Sequence, residues 1–288
     1  MAHTSVMKII RTVSGMQNIA RAAHKNGKTI GLVPTMGALH AGHLSLVNRA
    51  RKENDVVIVS IFVNPKQFGP NEDYLRYPRP LKKDSAACRK AGVDFIFNPS
   101  VKEMYPEGFL TWVKVEKLSD FFCGKHRPGH FRGVTTVVAK LFNITQPDRA
   151  YFGEKDFQQL TIVKKMASDL NFPVKIVPCP TLREKDGLAM SSRNSYLKPE
   201  ERKAAKNIHL SLAGAKRKVK KKKTKSIEEL LAELEKNLQS TPGLVNQYIN
   251  IIKPKTLEEQ KHHIQLPARI IYAGHLGKTR LIDNIEIK

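Results

Sequence analysis

Cysteine, tryptophan and acidic side chains are scarce in this chain of 288 residues, which has 3 Cys, 1 Trp, and 26 Asp and Glu against 50 Lys and Arg. The cysteines, Cys88, Cys123 and Cys179, are widely spaced and form no C-x-x-C pair. This spacing argues against a disulfide framework and against a zinc ribbon. We therefore expect reduced, mostly buried thiols.

Long apolar runs are also missing. No stretch approaches the roughly 20 apolar residues that a membrane-spanning helix needs. The opening residues, MAHTSVMKII, lack the apolar core of a signal peptide. With 41% hydrophobic residues, the chain can bury a sizeable core as one large domain or two moderate ones. We expect a soluble, cytoplasmic protein with no membrane partner.

The shortage of acidic residues leaves a formal net charge of +24, which at first suggests nucleic acid or an acidic membrane as a partner. Much of the excess lies in one basic run, KRKVKKKKTK at 216–225, which contains no aromatic residue to stack on bases. Because charge runs usually stay hydrated, we interpret it as a solvated helix end or linker, with no nucleic-acid partner. A nucleic-acid-binding patch is the alternative, and salt-dependent retention on DNA would favour it.

The most informative stretch is GLVPTMGALHAGHLSLV at 31–47. Its apolar start, its Pro and Gly, and the helical spacing that follows predict a buried strand, a turn and an amphipathic helix. If the helix begins near His40, the rings of His40 and His43 share its first turn. Unpaired N–H groups and the positive end of the helix dipole make this corner suitable for a phosphate. Either histidine alone could be purely structural. A zinc site is disfavoured because the i, i+4 spacing and the glutamate of the zinc-helix motif are missing.

An alternation of strands and helices surrounds this stretch. The β-branched run at 55–63 is typical of a parallel strand covered on both faces. Asn64 and Gln67 follow it at the strand's carboxyl end, where open α/β sheets bind ligands. They could bind a polar substrate or only hold the loop together. Further helical and strand patterns, including an apolar segment VTTVVAKLFNI that could be helix or strand, predict an α/β fold with a Rossmann-like, doubly wound parallel sheet.

Two polar corners come later in the chain. Lys155 follows the predicted strand DRAYF and could bind phosphate, or could simply pair with Glu154 or Asp156. The loop at 182–197 contains MSSR, whose hydroxyls, N–H groups and arginine could cradle a phosphate. A helix capped by Ser192 is the alternative.

The composition changes beyond this loop to Lys, Glu, Ala and Leu in helical spacing, followed by the apolar strands QYINII and ARIIYAGHL. We place a domain boundary near Leu182. This gives a Rossmann-like domain at 1–182 and a smaller α+β domain at 183–288.

The segments PTMGALHAGHLSLV, SIFVNPKQF, YFGEKDFQQL and DGLAMSSRNSYL, in this order, resemble the pantothenate synthetase family, the pantoate–β-alanine ligases, over essentially the whole chain. The resemblance implies a HIGH-type nucleotidyltransferase fold, in which HAGH at 40–43 is similar to the HIGH element and MSSR at 190–193 to the KMSKS loop. It implies an AMP-forming ligase of pantothenate and coenzyme A biosynthesis. Pantoate is activated by ATP as pantoyl adenylate with release of pyrophosphate, and β-alanine then displaces AMP.

The resemblance also implies Mg2+ on the ATP phosphates, a homodimer, an ATP- and pantoate-binding first domain, and a smaller domain that closes over the active site. In catalysis His43 has the acid role, with His40 and Lys155 on the phosphates. Asn64, Gln67 and Gln159 bind pantoate or β-alanine. The implied ATP-binding residues are Met36, Gly37, Ala38, Leu39, His40, Ala41, Gly42, His43, Gly153, Glu154, Lys155, Asp156, Leu182, Met190, Ser191, Ser192 and Arg193.

This chain departs from the family after Tyr77-Pro78-Arg79, where the family is more acidic and only Asp84 remains as a carboxylate. We therefore assign no protein ligand to the magnesium. Two other functions stay open. A tRNA-directed relative on the same scaffold is one, opposed by the short chain without an evident anticodon-type domain. Another ligase that adenylates a small acid is the second, because polar side chains do not name the acid. Exchange assays across a panel of hydroxy acids would separate them.

Overall fold

The computed structural model describes residues 6–221 and 226–288. The chain divides into two compact units, Met1–Glu154 with Ile162–Pro180, and Lys155–Thr161 with Thr181–Lys288. The predicted boundary near Leu182 stays a prediction. The last four residues of the basic run lie outside the described residues.

The first unit is built on a six-stranded parallel sheet in the order β1-β4-β3-β2-β5-β6. The predicted doubly wound α/β sheet is confirmed, because successive strands are added on both sides of β2. Strand β3 is buried along its whole length, as its β-branched run predicts. The strands are β1 (Lys8–Ile10), β2 (Ile30–Thr35), β3 (Val56–Ile61), β4 (Phe95–Phe97), β5 (Arg149–Gly153) and β6 (Lys175–Cys179).

Helices connect these strands. Helix α6 begins at His130, inside the RPGHFRG segment at 127–133, and includes the apolar segment VTTVVAKLFNI, for which the β-branched residues left a strand as an alternative. Burial of most of this helix outweighs the weak propensity penalty of Val and Thr. The helices are α1 (Val13–Lys25), α2 (Ala41–Glu53), α3 (Leu81–Lys90), α4 (Val101–Met104), α5 (Cys123–His126), α6 (His130–Thr145) and α7 (Phe157–Asp169), whose first residues belong to the second unit.

The three cysteines are free and buried, as expected. Burial raises the pKa of the Cys88 thiol to about 12, with the nearby charge of Asp84 adding to the effect. Burial also raises the pKa of Cys179. A thiol reacts as its thiolate, so burial and the raised pKa favour a packing role for these two side chains.

The second unit contains a three-stranded antiparallel sheet, β7-β8-β9, and two helices. Apolar residues spaced three and four apart on both helices, such as Ile208 and Leu212 or Leu230 and Leu234, share one core with the sheet. The elements are α8 (Pro199–Lys220), α9 (Ile227–Gln239), β7 (Leu244–Ile252), β8 (Ala268–Leu276) and β9 (Thr279–Ile287). Within 6–221 and 226–288 we find no helix of the length and apolarity needed to cross a membrane.

Candidate active site

The turn after β2 has an unusual backbone. Gly37 has φ +83° and Ala38 has φ +51°, a region that favours glycine. Thr35 Oγ1 accepts a hydrogen bond from Gly37 N at 3.1 Å and donates one to Ser60 O at 2.7 Å. A Cβ on Gly37 would lie 3.0 Å from Asp84 Oδ2. Conformation and space therefore both require glycine at this point.

Asp84 holds the same turn from the first residues of α3. Its two carboxylate oxygens accept hydrogen bonds from Ala38 N at 2.9 Å and Leu39 N at 2.8 Å. The residue is 2% exposed, so the two N–H groups replace the water that its charge has lost. The sequence indicated Asp84 only in relation to magnesium. No local pattern indicates a contact between residues 46 positions apart.

His40 and His43 cap the start of α2 reciprocally. His40 is the N-cap residue, and its Nδ1 accepts a hydrogen bond from Gly42 N at 3.1 Å. In return, His43 Nδ1 accepts one from His40 N at 3.4 Å. The two ring centroids are 4.0 Å apart. The prediction that both rings share the first turn of this helix is confirmed.

This capping determines where each neutral imidazole carries its proton. A ring nitrogen that accepts a backbone N–H has no hydrogen of its own, so the proton of the neutral ring is on the other nitrogen. Because Nδ1 of both His40 and His43 accepts, both rings are Nε2–H tautomers when neutral. The corner can thus offer two hydrogen-bond donors without either histidine being charged.

Gln67 lies in a short 3-10 helix, Pro65–Gln67, after β3. Its Nε2 donates to Met36 Sδ at 3.1 Å, so two predicted site residues meet. Asn64, in contrast, is completely buried. Its Nδ2 donates to Gln67 Oε1 and to Gly133 O, each at 3.1 Å, and its Oδ1 accepts from Tyr105 OH at 2.9 Å. Asn64 therefore holds the loop and orients Gln67.

Two residues of the RPGHFRG segment, Arg127 and His130, contact the backbone of Gln67, although no sequence pattern indicated a role for them. His130 Nδ1 lies 2.7 Å from Gln67 O, and Arg127 Nη2 donates to the same carbonyl at 3.3 Å. Arg127 is itself held by both carboxylate oxygens of Glu72, at 2.7 and 2.5 Å. The backbone of Gln67 is thus fixed by residues that are 60 and 63 positions away in the chain.

Glu154, Lys155 and Asp156 form a short 3-10 helix directly after Gly153, the last residue of β5. Lys155 Nζ lies 3.6 Å from Asp156 Oδ1, so the pairing that was the structural alternative for this lysine does occur. A lysine side chain is long and flexible, and such a pair does not prevent it from binding a phosphate. Gln159 is the third residue of α7.

In the second unit, the loop at 182–197 is closed at its base by backbone pairing. Arg183 and Ala189 form an antiparallel bridge, and Met190 N donates to Leu182 O at 3.0 Å. Leu182 is 40% exposed. The first part of the loop, from Leu182 to Met190, is therefore compact, and these two residues lie side by side.

The MSSR segment continues this loop into a 3-10 helix, Ser192–Tyr196. The structural alternative, a helix capped by a serine, does occur, but with a different serine. Ser191, one position earlier than Ser192, is the N-cap, and its Oγ accepts from Arg193 N at 3.3 Å. This helix ends at Tyr196, Leu197 is extended, and Pro199 begins α8.

In the part of the chain that the structure describes, no group of three or more His, Cys, Asp or Glu could hold a metal ion. Asp84, the carboxylate that remains in the segment after Tyr77-Pro78-Arg79, already accepts two backbone N–H groups. These residues do not fit a protein-held magnesium.

Comparisons with known proteins give a consistent result. The family model for pantoate–β-alanine ligase matches residues 8–286. The pantothenate synthetase of Acetivibrio thermocellus is 51% identical over 284 residues, covering 98% of this chain and 100% of the relative.

Two solved structures are also similar. Pantothenate synthetase from Thermus thermophilus superposes with a TM-score of 0.91 at 48% identity, covering 97% of this chain and 99% of that one. Pantoate–β-alanine ligase from Francisella tularensis, complexed with beta-gamma ATP and β-alanine, superposes with a TM-score of 0.79 at 39% identity, covering 98% of each chain. From the match along nearly its whole length, we conclude that this chain belongs to the pantoate–β-alanine ligase family.

Proposed function

We propose that this chain is an ATP-dependent ligase that condenses pantoate with β-alanine to pantothenate, in the biosynthesis of coenzyme A. The observation that carries this proposal is the family match over residues 8–286. The Francisella tularensis relative was crystallised with an ATP compound and β-alanine, which supports ATP and β-alanine as substrates. Pantoate follows from the family's reaction.

The proposed reaction has two steps. A carboxylate oxygen of pantoate attacks the α-phosphorus of ATP, and the bond to the β-phosphate oxygen breaks, giving pantoyl adenylate and pyrophosphate. The amine of β-alanine then attacks the acyl carbon, loses a proton and displaces AMP. The first step brings a carboxylate towards a polyanion, so its main requirement is stabilisation of negative charge on the phosphates.

We assign that stabilisation in the first unit to the start of α2. The Nε2–H groups of His40 and His43 are the donors, His43 in the acid role, and the helix dipole adds a favourable field. Their Nδ1 atoms are engaged by backbone N–H groups. Met36 to Leu39 would contact the nucleotide through the turn that Asp84 fixes.

In the second unit we assign ATP binding to Lys155, Asp156, Leu182 and the residues from Met190 to Arg193. Gly153 and Glu154, which precede Lys155 in the chain and belong to the first unit, are assigned to ATP binding as well. An arginine can bind a phosphate through two parallel hydrogen bonds. Magnesium, when bound, would supply further charge neutralisation, and the described residues leave it to be held by ATP itself.

Gln67 and Gln159 are the proposed substrate-binding side chains. For Asn64 the structure favours a positioning role, because its amide is buried and orients Gln67. Pantoate is the proposed acid. The side chain of Gln67 could bind any polar acid similar in size to pantoate. The selectivity of the enzyme for pantoate must therefore be measured against other hydroxy acids.

The decisive experiment is pantoate-dependent exchange of labelled pyrophosphate into ATP, with magnesium and without β-alanine. We expect exchange that requires pantoate, and we expect Lys155→Ala to reduce it at least tenfold while the protein stays folded. Exchange that another hydroxy acid supports equally well would identify a different small-acid ligase. No exchange by folded protein would refute the proposed activity.

We also propose a cytoplasmic homodimer, as the family resemblance implies. Analytical ultracentrifugation tests the oligomeric state. A single species at the mass of the 32.5 kDa chain would refute the dimer.

A further inference from the structure

Strand β9 contains two adjacent buried polar residues that have no role in the proposed reaction. Asp283 is 4% and Asn284 is 6% exposed. Buried charges and amides need hydrogen-bond partners. Several of their partners lie outside the sheet, in the two segments of the second unit to which ATP binding is assigned.

Asp283 anchors the loop at 182–197. Arg183 donates to its two carboxylate oxygens, from Nη1 to Oδ2 at 2.7 Å and from Nη2 to Oδ1 at 2.9 Å. The same guanidinium donates to Gly187 O at 3.1 Å, inside the loop. Because Arg183 also pairs with Ala189 through the backbone, one buried carboxylate fixes the base of the segment that continues into Met190–Arg193.

Asn284 anchors the backbone at Lys155. Its Nδ2 donates to Lys155 O at 2.9 Å. Its Oδ1 accepts from Arg269 Nη1 at 2.5 Å, and Arg269 stacks on the Phe157 ring at 3.9 Å. Since an arginine can only donate, the amide oxygen must face Arg269 and the NH2 group must face the carbonyl of Lys155.

Adjacent side chains of a strand point to opposite sides. Two consecutive residues of one strand can therefore contact two segments that are distant from each other in the sequence. Asp283 contacts Arg183, and Asn284 contacts Lys155. A hydrogen bond from Asn284 N to Asp283 Oδ1 at 2.7 Å joins the two anchors.

We propose that Asp283 and Asn284 are positioning residues of the ligase, which hold the 182–197 loop and the backbone at Lys155 in fixed positions relative to β9. This inference rests on the proposed ATP-binding role of Lys155 and Arg193. Neither anchor touches a reacting atom. Their effect is on the placement of groups that neutralise phosphate charge, where a misplacement of about 1 Å costs on the order of 100-fold in rate.

The test uses isosteric changes. Asn284→Asp keeps the oxygen that faces Arg269 and removes the donor to Lys155 O. Asp283→Asn keeps the shape and removes the charge that holds Arg183. Asn284→Ser is a second variant for the same bond in case Asn284→Asp does not fold. The control is Gln247→Ala, which removes a polar pair of the same sheet, where Arg280 Nε donates to Gln247 Oε1 at 3.0 Å.

For each variant, kcat and KM for ATP are measured by pantoate-dependent pyrophosphate exchange, together with the melting temperature. We expect kcat/KM for ATP to fall roughly 10- to 100-fold in the β9 variants and by less than about twofold in the control. Arg183→Gln combined with Asp283→Asn should lose no more than either change alone, because both break the same pair.

The outcomes separate the two proposals. Wild-type protein that shows no exchange refutes the proposed function itself. Wild-type exchange, with folded β9 variants that keep normal kcat and KM, overturns the positioning role. A lowered melting temperature with normal kinetics in the folded protein also overturns it, since it would mean that the pair only stabilises the unit.

Discussion

At the scale of single residues, the two histidines of the HAGH segment cap the helix through one ring nitrogen each, and the proposed phosphate contact is assigned to the other ring nitrogen. Nδ1 of each accepts a backbone N–H at the start of α2. The opposite nitrogen is therefore the one that can donate to a phosphate. The structural and functional interpretations of these histidines, which were alternatives from the sequence, are compatible with each other.

Substitutions of His43 can separate these two functions. In His43→Asn the amide oxygen can replace Nδ1 as the cap, but the donor is lost. In His43→Gln the amide nitrogen can replace Nε2, but the cap is lost. We expect exchange to fall about 100-fold or more in the Asn variant and clearly less in the Gln variant. The free energy of unfolding should fall by about 1 kcal/mol in the Gln variant only.

Urea unfolding and pyrophosphate exchange measure the two effects, with His263→Asn as an exposed control in the second unit. Equal activity of the Asn variant and the wild type would show that Nε2 of His43 has no part in the first step.

We expect His209 to make the stability of the second unit depend on pH. Burial and the charge of Arg183 lower its pKa, against the opposing effect of Asp283, and Arg217 lowers it further. When the folded pKa is the lower one, the unfolded chain binds the proton first. The contribution to stability is therefore complete above the unfolded pKa of about 6.5 and is lost as the pH falls below it.

We expect the melting temperature of the wild type to fall between pH 7.5 and pH 5 by more than that of His209→Gln, which cannot be protonated. Thermal unfolding at both pH values, followed by circular dichroism, measures the difference. Parallel pH curves for the two proteins would contradict the lowered pKa.

At the scale of elements, most helices and strands follow from local patterns, and the ties between them do not. Hydrophobic periodicity predicts α8 and α9, and the β-branched run predicts β3. The attachment of the turn at Ala38 and Leu39 to α3 is different. It depends on Asp84, which from its local sequence is only an acidic residue in the first turn of a helix, a common position for a carboxylate.

Asp84→Asn tests this tie between α3 and the turn after β2. The amide has one acceptor oxygen for two N–H groups, so one buried donor loses its partner. We expect the free energy of unfolding to fall by about 1–3 kcal/mol and exchange to fall with it, because His40 follows the turn directly. Asp120→Asn, an exposed carboxylate, is the control. Unchanged stability and exchange in Asp84→Asn would contradict a role for this contact.

At the scale of the whole molecule, the charge of +24 remains the most unusual property. The described part of the basic run forms the last turn of α8, where cations interact favourably with the helix dipole. Lys218 also forms an ion pair with Glu233 of α9. These contacts support the interpretation as a hydrated helix end, and the absence of a nucleic-acid partner stays a prediction.

Lys220→Gln combined with Lys221→Gln tests that interpretation. We expect exchange kinetics within about twofold of the wild type, because surface changes away from the site have small effects. We also expect no retention of the wild type on a DNA column at about 0.15 M salt. Retention whose salt dependence weakens in the double variant would instead indicate phosphate contacts by these lysines.

The sequence by itself determined the fold class, the family and the segments that carry the proposed chemistry. Hydrophobic periodicity and the order of the motifs can both be read along the chain without knowledge of which distant residues are in contact. Only the tertiary structure decided what each polar side chain does within those segments. Asn64 became a buried support, Ser191 replaced Ser192 as the cap, and Asp84 became an anchor. The contacts of Asp84 and Asp283 join residues 46 and 100 positions apart. Hydrogen bonds over such separations are determined by how packed elements bring polar groups together, which the pattern of either segment alone does not contain.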